Sequence, residues 1–166
     1  MLLLLMRHGI AEDISADGSD AKRRLTQKGE REVREMARLL KKLGLVPTHV
    51  VASPRVRAHD TATIAAEIVG GGKLITLESL NCDGTWPEFV ADVRKLTKGE
   101  KNAVVLAAGH EPNCGQFVTA ALMRSEDGFH IGKGAVAALE WDGIIEPEGA
   151  ELRFYLTHSV VMGLEE

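Results

Sequence analysis

Short apolar runs alternate with longer amphipathic stretches along the chain, and this alternation limits the fold more than any other feature. The first run, Leu2 to Met6, is apolar throughout and ends at Arg7-His8-Gly9. An apolar run without polar alternation is typical of a strand that is buried on both faces of a parallel sheet. Helices must then cover both faces, so the pattern predicts a three-layer α/β/α domain with a mostly parallel central sheet.

The same pattern assigns the remaining elements. Helices are predicted where apolar residues recur at three- and four-residue spacing, namely over residues 25–43, 55–69, 86–96 and 112–123. Further strands are predicted where short apolar runs lie between loops, namely over residues 49–52, 74–77, 103–107, 135–141 and 151–156. The sequence contains no linker or internal repeat, so we expect residues 1–166 to form one domain.

Composition argues against several classes of protein. The formal charge is -4, from 20 Lys and Arg against 24 Asp and Glu, which disfavours binding to nucleic acid or to an acidic membrane. The opening apolar run is too short for a membrane span or a signal peptide. Cys82 and Cys114 form no CxxC pattern, which disfavours a disulfide scaffold or a redox motif. We therefore expect a cytoplasmic protein.

Unusual polar residues follow three of the predicted strands. Arg7-His8-Gly9 follows the first strand, Ser53 to Arg57 follows the second, and Gly109-His110 follows the strand that ends at Ala107. The carboxyl ends of parallel strands meet at one edge of a sheet, where ligands bind. We therefore expect two histidines and at least two arginines to share one site.

Arginine and histidine together suit a phosphoryl group. The guanidinium fork matches phosphate oxygens, and a neutral imidazole can attack phosphorus. Nearby guanidinium charges disfavour the protonated imidazole and so keep it nucleophilic. One histidine could be the nucleophile and the other a donor to the phosphoryl oxygens. No metal or other cofactor is needed, because the arginines supply the positive charge that magnesium supplies elsewhere.

Four ordered blocks of the sequence resemble the histidine phosphatase superfamily, which has a phosphoglycerate mutase-like fold. The blocks are Arg7-His8-Gly9 after an apolar strand, Arg24-Leu25-Thr26 followed by Gly29, Ser53-Pro54 with Arg57-Ala58 and Thr61-Ala62, and Gly109-His110 with Pro112. The short length and the sequence LMRHGIAE are most similar to the phosphohistidine phosphatase SixA branch.

The resemblance implies a role for four residues. His8 would be the nucleophile that becomes phosphorylated, and Arg7, Arg57 and His110 would bind and polarise the phosphoryl group. The arginine of the family lies directly before an alanine, which is the position of Arg57, so Arg55 is interpreted as a residue of the rim.

The segment between the third and fourth predicted strands bears on the substrate. Larger members of the superfamily carry a glutamate general acid there, within a long insertion that covers the site. Here Glu78 to Asn102 has room for one helix and no lid, so we expect an open groove, with Glu78 and Asp83 as candidate acids. A phosphorylated imidazole leaves readily once protonated, so a site without a fixed acid or a lid favours phosphohistidine on a protein over a small ester.

The sequence therefore predicts a metal-independent phosphatase that acts through a phosphohistidine intermediate. Its predicted substrate is phosphohistidine on a signalling or carrier protein of the histidine phosphotransfer type. Two alternatives remain open: a broad phosphomonoesterase for small phosphate esters, and a module that binds phosphohistidine without turnover. The intact His8 argues against the second alternative, because a pure binding module needs no nucleophile.

The other polar residues have simpler interpretations. Zinc-type spacing is absent, and the histidines without a motif are interpreted as structural or exposed; they are His49, His59, His130 and His158. Cys114 is interpreted as a small buried apolar residue. Arg24 stands where a calcium loop needs glutamate, so the loop from Ile10 to Arg23 is interpreted as a rim of the cleft. Four of its residues could contact a partner: Asp17, Asp20, Lys22 and Arg23.

Overall fold

Helices cover both faces of a six-stranded sheet in the computed structural model, which describes residues 1–123 and 129–164. This confirms the predicted α/β fold class. The strands are β1 (Leu2–Arg7), β2 (His49–Ala52), β3 (Leu74–Thr76), β4 (Val104–Gly109), β5 (Val136–Glu140) and β6 (Glu151–Leu156). The helices are α1 (Gln27–Lys42), α2 (Val56–Val69), α3 (Trp86–Thr97), α4 (Asn113–Met123) and α5 (His158–Gly163).

The order of strands in the sheet brings the two predicted site histidines together. The order is β3-β2-β4-β1-β5-β6, in which the first four strands are parallel, β5 is antiparallel to β1, and β6 is antiparallel to β5. Strands β1 and β4 are neighbours, with Arg7 opposite Gly109. The next residue of each strand is a histidine, so His8 and His110 leave the same edge side by side.

The first strand supplies both faces of the core. Leu3 and Leu5 pack in the cluster beneath α3 and α4, whereas Leu4 and Met6 pack in the cluster beneath α1 and α2. All four side chains are fully buried. The uninterrupted apolar run at the start of the chain therefore reflects burial on both faces, because successive side chains of a strand point to opposite sides.

The predicted elements match the observed ones in type, and their ends differ by a few residues. Two short 3-10 turns, Asp20–Lys22 and Glu78–Leu80, were not predicted, nor was α5. Helix α5 has only six residues, too few to show helical periodicity, and His158 Nε2 lies 2.5 Å from Glu35 Oε2 of α1. In the part of the chain that the structure describes, no helix is long and apolar enough to cross a membrane.

Candidate active site

His8 lies directly after β1 and is 6% exposed. Its Nδ1 donates to the backbone oxygen of Gly9 at 2.7 Å, because a carbonyl can only accept. The ring proton is therefore on Nδ1, and the lone pair of Nε2 accepts a hydrogen bond from Arg57 Nε at 3.1 Å. In this tautomer Nε2 is the ring nitrogen of His8 that carries the lone pair.

Helix α2 holds the residue after His8 in place. The backbone nitrogen of Gly9 donates to Thr61 Oγ1 at 3.1 Å, and Thr61 Oγ1 donates to the backbone oxygen of Arg57 at 2.7 Å. A Cβ atom at Gly9 would lie 2.9 Å from Val33 Cγ2. Only glycine fits there without movement of α1, and this accounts for the Gly9 and Thr61 positions of the family motif.

The start of α1 packs against the loop that follows His8. Thr26 caps the helix by accepting from the backbone nitrogen of Gly29 at 3.0 Å, and the backbone nitrogen of Thr26 donates to the oxygen of Ile10 at 2.9 Å. A Cβ atom at Gly29 would lie 2.1 Å from the oxygen of Ile10. The block from Arg24 to Gly29 thus fixes the path of the chain two residues after the nucleophile.

His110 follows β4 and is 1% exposed, and its ring centroid lies 5.1 Å from that of His8. Its Nε2 is 2.8 Å from Ser53 Oγ, which also accepts from the backbone nitrogen of Arg55. The second ring nitrogen of His110, Nδ1, is buried and has no partner among the described residues, so it is free to contact a ligand beside His8.

Two predicted arginines flank the histidines. Arg57, in the first turn of α2, is 4% exposed and contacts His8 through Nε. Its Nη1 donates to the backbone oxygen of Asp20 at 2.7 Å, and its Nη2 donates to Asp20 Oδ2 at 3.2 Å. Arg7 Nη1 donates to the backbone oxygen of Ile131 at 3.1 Å, and Arg7 Nε has no partner in the described chain.

Asp20 brings two further arginines to the site. Its Oδ2 contacts Arg55 Nη1 as well as Arg57, and its Oδ1 lies 2.8 Å from Arg23 Nε in an ion pair that is not aligned as a hydrogen bond. Arg55 Nε also donates to Asn81 Oδ1 at 2.8 Å. Arg55 thus contacts Asp20 and Asn81, and not His8, which agrees with its predicted position at the rim.

Burial is the main reason that both histidines are neutral. Burial lowers the pKa of His8 to about 4; the Gly9 hydrogen bond opposes this, and the charges of Arg57, Arg7 and Arg23 add to it. Burial likewise lowers the pKa of His110 to about 3, and His8 and Arg57 lower it by smaller amounts. The sequence predicted a neutral nucleophile from arginine charge alone, whereas removal of water from the ring contributes more.

The candidate acids lie elsewhere. Glu78 and Asp83 line a separate cavity of about 360 Å³, together with Glu88 and Asp92. Neither Glu78 nor Asp83 has a hydrogen bond or ion pair with His8 or His110 in the described residues. Among the carboxylates of those residues, Asp20 is the one that contacts Arg57.

The connection between β3 and β4 is short, and the open groove expected from it stays a prediction. One helix, α3, and a 3-10 turn connect the two strands, as the short segment implied. His8 and His110 are buried, and the loop that carries Asp20 contacts Arg57. An open cavity of about 950 Å³ lies beside this loop and is lined by residues that include Glu12, Ile14, Lys22, Arg24 and Asp60.

Two other residues show what the sequence interpretation missed and what it found. The side chain of His130 is exposed, as predicted, but its Nε2 lies 3.4 Å from Arg7 Nη1, so it is part of the site surroundings. No motif marks His130, and only its place after β4 and α4 in the fold brings it there.

Cys114 is buried, and burial raises the pKa of its thiol, which agrees with a packing role.

Sequence comparison identifies the family. The profile of the histidine phosphatase superfamily (branch 1) matches residues 3–81. A protein of Picosynechococcus sp., described as uncharacterized, is 31% identical over 131 residues, which cover 79% of this chain and 78% of the relative. The chain therefore belongs to the histidine phosphatase superfamily.

Comparison with solved structures shows which branch of the superfamily the chain resembles. The structure of the protein histidine phosphatase SixA complexed with tungstate has a TM-score of 0.84 and 25% identity, and the match covers 97% of this chain and 99% of SixA. The alpha-ribazole phosphatase from Shigella flexneri has a TM-score of 0.72 at 15% identity, over 95% of this chain and 97% of that protein, which shows a shared fold. These matches confirm the SixA-like branch and support a phosphatase.

Proposed function

We propose that this protein is a metal-independent phosphatase that removes phosphate from phosphohistidine on a signalling or carrier protein through a phospho-His8 intermediate. The observation that carries the proposal is the tautomer of His8. Its Nδ1 is held by Gly9, and its Nε2 lone pair lies in a cluster of buried cationic and neutral donors. A neutral imidazole with a free lone pair is a nucleophile, and the donors around it match phosphoryl oxygens.

The first step transfers the phosphoryl group to the protein. His8 Nε2 attacks phosphorus in line, and the bond from phosphorus to the substrate nitrogen breaks; the substrate imidazole takes a proton from water and leaves in its neutral form. Arg57 must turn its Nε from His8 Nε2 to a phosphoryl oxygen, because the same lone pair cannot serve both. Arg7 and the free Nδ1 of His110 donate to the remaining oxygens. Water then attacks phospho-His8, and the electron pair of the broken bond returns to Nε2.

Two features support phosphohistidine as the substrate. The segment between β3 and β4 forms one helix and a 3-10 turn and carries no carboxylate that contacts the histidines in the described residues. A leaving group that needs a fixed acid therefore finds no proton donor in this segment. A protonated imidazole is a good leaving group without such an acid. The proposed partner is a histidine phosphotransfer-type protein. The proposed compartment is the cytoplasm, because Cys82 and Cys114 are free thiols.

The test compares two substrates without added metal. We would measure phosphate release from a histidine-phosphorylated carrier domain and from an aryl phosphate, with wild type, His8→Ala and the control His49→Ala. His49 begins β2 at the opposite end from the site, so its variant should keep wild-type rates. We expect release from the carrier domain that is lost in His8→Ala, and a labelled phosphoenzyme in wild type.

Other results would change the assignment. Release from the aryl phosphate alone would retain His8 as the nucleophile and move the substrate to small esters. No release from either substrate, with tight binding of the phosphorylated carrier, would show that the protein is a binding module and not an enzyme.

A further inference from the structure

The Asp20 carboxylate contacts Arg57, which the proposed function assigns to the phosphoryl group, and also two neighbouring arginines. We propose that the Asp20 carboxylate is an intramolecular competitor of the phosphoryl group and thereby sets how tightly the site holds oxyanions. The inference rests on the proposed function only in that Arg57 must bind the phosphoryl group. It adds a residue of the site that the family motif blocks do not contain.

The first observation is the number of cations on one carboxylate. Arg23, Arg55 and Arg57 all contact Asp20, so three positive charges face a single negative charge. The cluster therefore keeps an excess of positive charge when Asp20 is in place. A phosphoryl dianion neutralises this excess better than a carboxylate does and can displace Asp20, whereas a weakly charged anion cannot.

The second observation is the direction from which Asp20 approaches. The side chain of Arg57 is 5% exposed and those of Arg23 and Arg55 are 24% exposed, whereas the side chain of Asp20 is 54% exposed. The carboxylate is thus more exposed than the three arginines and covers the buried Arg57 from the solvent side. A phosphorylated side chain must arrive from the same side, so the two anions compete for one position.

The third observation is that Arg57 has a protein partner on each of its three nitrogens. Nε donates to His8 Nε2, Nη1 to the backbone oxygen of Asp20, and Nη2 to Asp20 Oδ2. The lone pair of the nucleophile and the outer edge of the guanidinium are both engaged in the free protein. Displacement of Asp20 frees Arg57 to turn to the phosphoryl group, and this releases the lone pair of His8.

The turn that carries Asp20 lies outside the core. The 3-10 turn Asp20–Lys22 contains no buried residue, so displacement of the Asp20 side chain costs no core contact of this turn. The loop is closed at its base, where the backbone nitrogen of Glu12 donates to the oxygen of Arg24 at 2.9 Å. Return of Asp20 to the arginines after hydrolysis then opposes retention of the product phosphate.

The experiment measures the dissociation constant of inorganic phosphate by calorimetry for wild type, Asp20→Asn and Asp13→Asn. Asp13 is an exposed acid of the same loop with no contact to an arginine in the described residues, so its variant controls for the loss of one charge. We expect phosphate to bind about five- to tenfold more tightly to Asp20→Asn, since three partly exposed ion pairs no longer compete. Asp13→Asn should change binding less than twofold.

A dissociation constant for Asp20→Asn that is unchanged or weaker than that of wild type would overturn the inference, since Asp20 would then position Arg57 rather than compete with phosphate. Asp20→Ala and thermal unfolding of each variant show whether the loop or the fold has been damaged. Failure of the proposed function is seen separately, as absence of phosphate release from the phosphorylated carrier by wild type.

Discussion

At the scale of single residues, the site depends on how two imidazole rings are held. Gly9 fixes the proton of His8 on Nδ1, and Ser53 holds the ring of His110 through Nε2. His8 then presents a lone pair at Nε2, and His110 presents an Nδ1 atom that has no partner among the described residues. The pair keeps these different roles near neutral pH, because the pKa of each ring lies far below 7.

Removal of the guanidinium beside the nucleophile should abolish most activity. We expect Arg57→Ala to lower kcat by roughly 10²–10³-fold, the usual cost of losing a donor that stabilises developing charge. Phosphate release and thermal unfolding would be measured together, with Arg38→Ala on the exposed face of α1 as the control. Turnover close to that of wild type in Arg57→Ala would show that the site is misassigned.

Ser53 is a positioning residue that acts through His110. We expect Ser53→Ala to lower kcat about tenfold, because Nε2 of His110 loses the hydrogen-bond partner that orients the ring. Ser53→Thr retains the hydroxyl and should restore a large part of the rate. An unchanged kcat in Ser53→Ala, with a normal unfolding temperature, would remove Ser53 from the mechanism.

The residues that sequence analysis found and missed differ in how their positions are determined. His8 and His110 come directly after strands, so the sheet alone places them, and Arg57 lies in the first turn of a helix. Asp20, Arg23 and His130 lie on loops or turns, whose path depends on contacts distant in sequence. The sequence placed Asp20 and Arg23 on a rim loop, but the contact of Asp20 with Arg57 and that of His130 with Arg7 could not be derived from local spacing.

At the scale of elements, helices α1 and α2 hold the two residues that follow His8. Helix α2 bonds to Gly9 through Thr61, and α1 packs its first turn on Ile10. The strand and helix pattern predicted these elements because their apolar faces are periodic. It did not predict α5, which is shorter than two helical turns and is positioned by the Glu35 contact.

The close approach of α1 to the active-site loop can be tested at Gly29. We expect Gly29→Ala to lower the free energy of unfolding by about 1–3 kcal/mol and to reduce activity, because its Cβ would lie 2.1 Å from a backbone oxygen. Gly143→Ala is the control, since a Cβ atom there has nothing within 4 Å. Chemical denaturation of both variants measures the difference; equal stability would mean that α1 shifts freely.

At the scale of the whole molecule, the two neutral histidines make stability depend on pH. The unfolded chain binds protons near pH 6.5, whereas His8 and His110 in the folded protein bind them only near pH 4 and 3. The free energy of unfolding should therefore fall as the pH falls from 6.5 towards 4. Between pH 6 and 5 the expected slope is about 1 kcal/mol per pH unit for each histidine.

Denaturation of His110→Asn at several pH values tests this dependence. The variant lacks one of the two buried rings, so its stability should decline less steeply with acid than that of wild type. His49→Asn is the matched control and should keep the wild-type slope. If His110→Asn declines as steeply as wild type, protonation of His110 does not contribute to acid unfolding.

The adjacency of β1 and β4 has a consequence for how the molecule assembles. His8 belongs to the first strand of the chain, and its neighbour in the sheet is made only after β2, β3 and the intervening helices. Contacts between residues so distant in sequence close large loops and form slowly. The site is thus complete only when the sheet is complete, and an oxyanion that binds there stabilises the fully folded chain over every partly folded one.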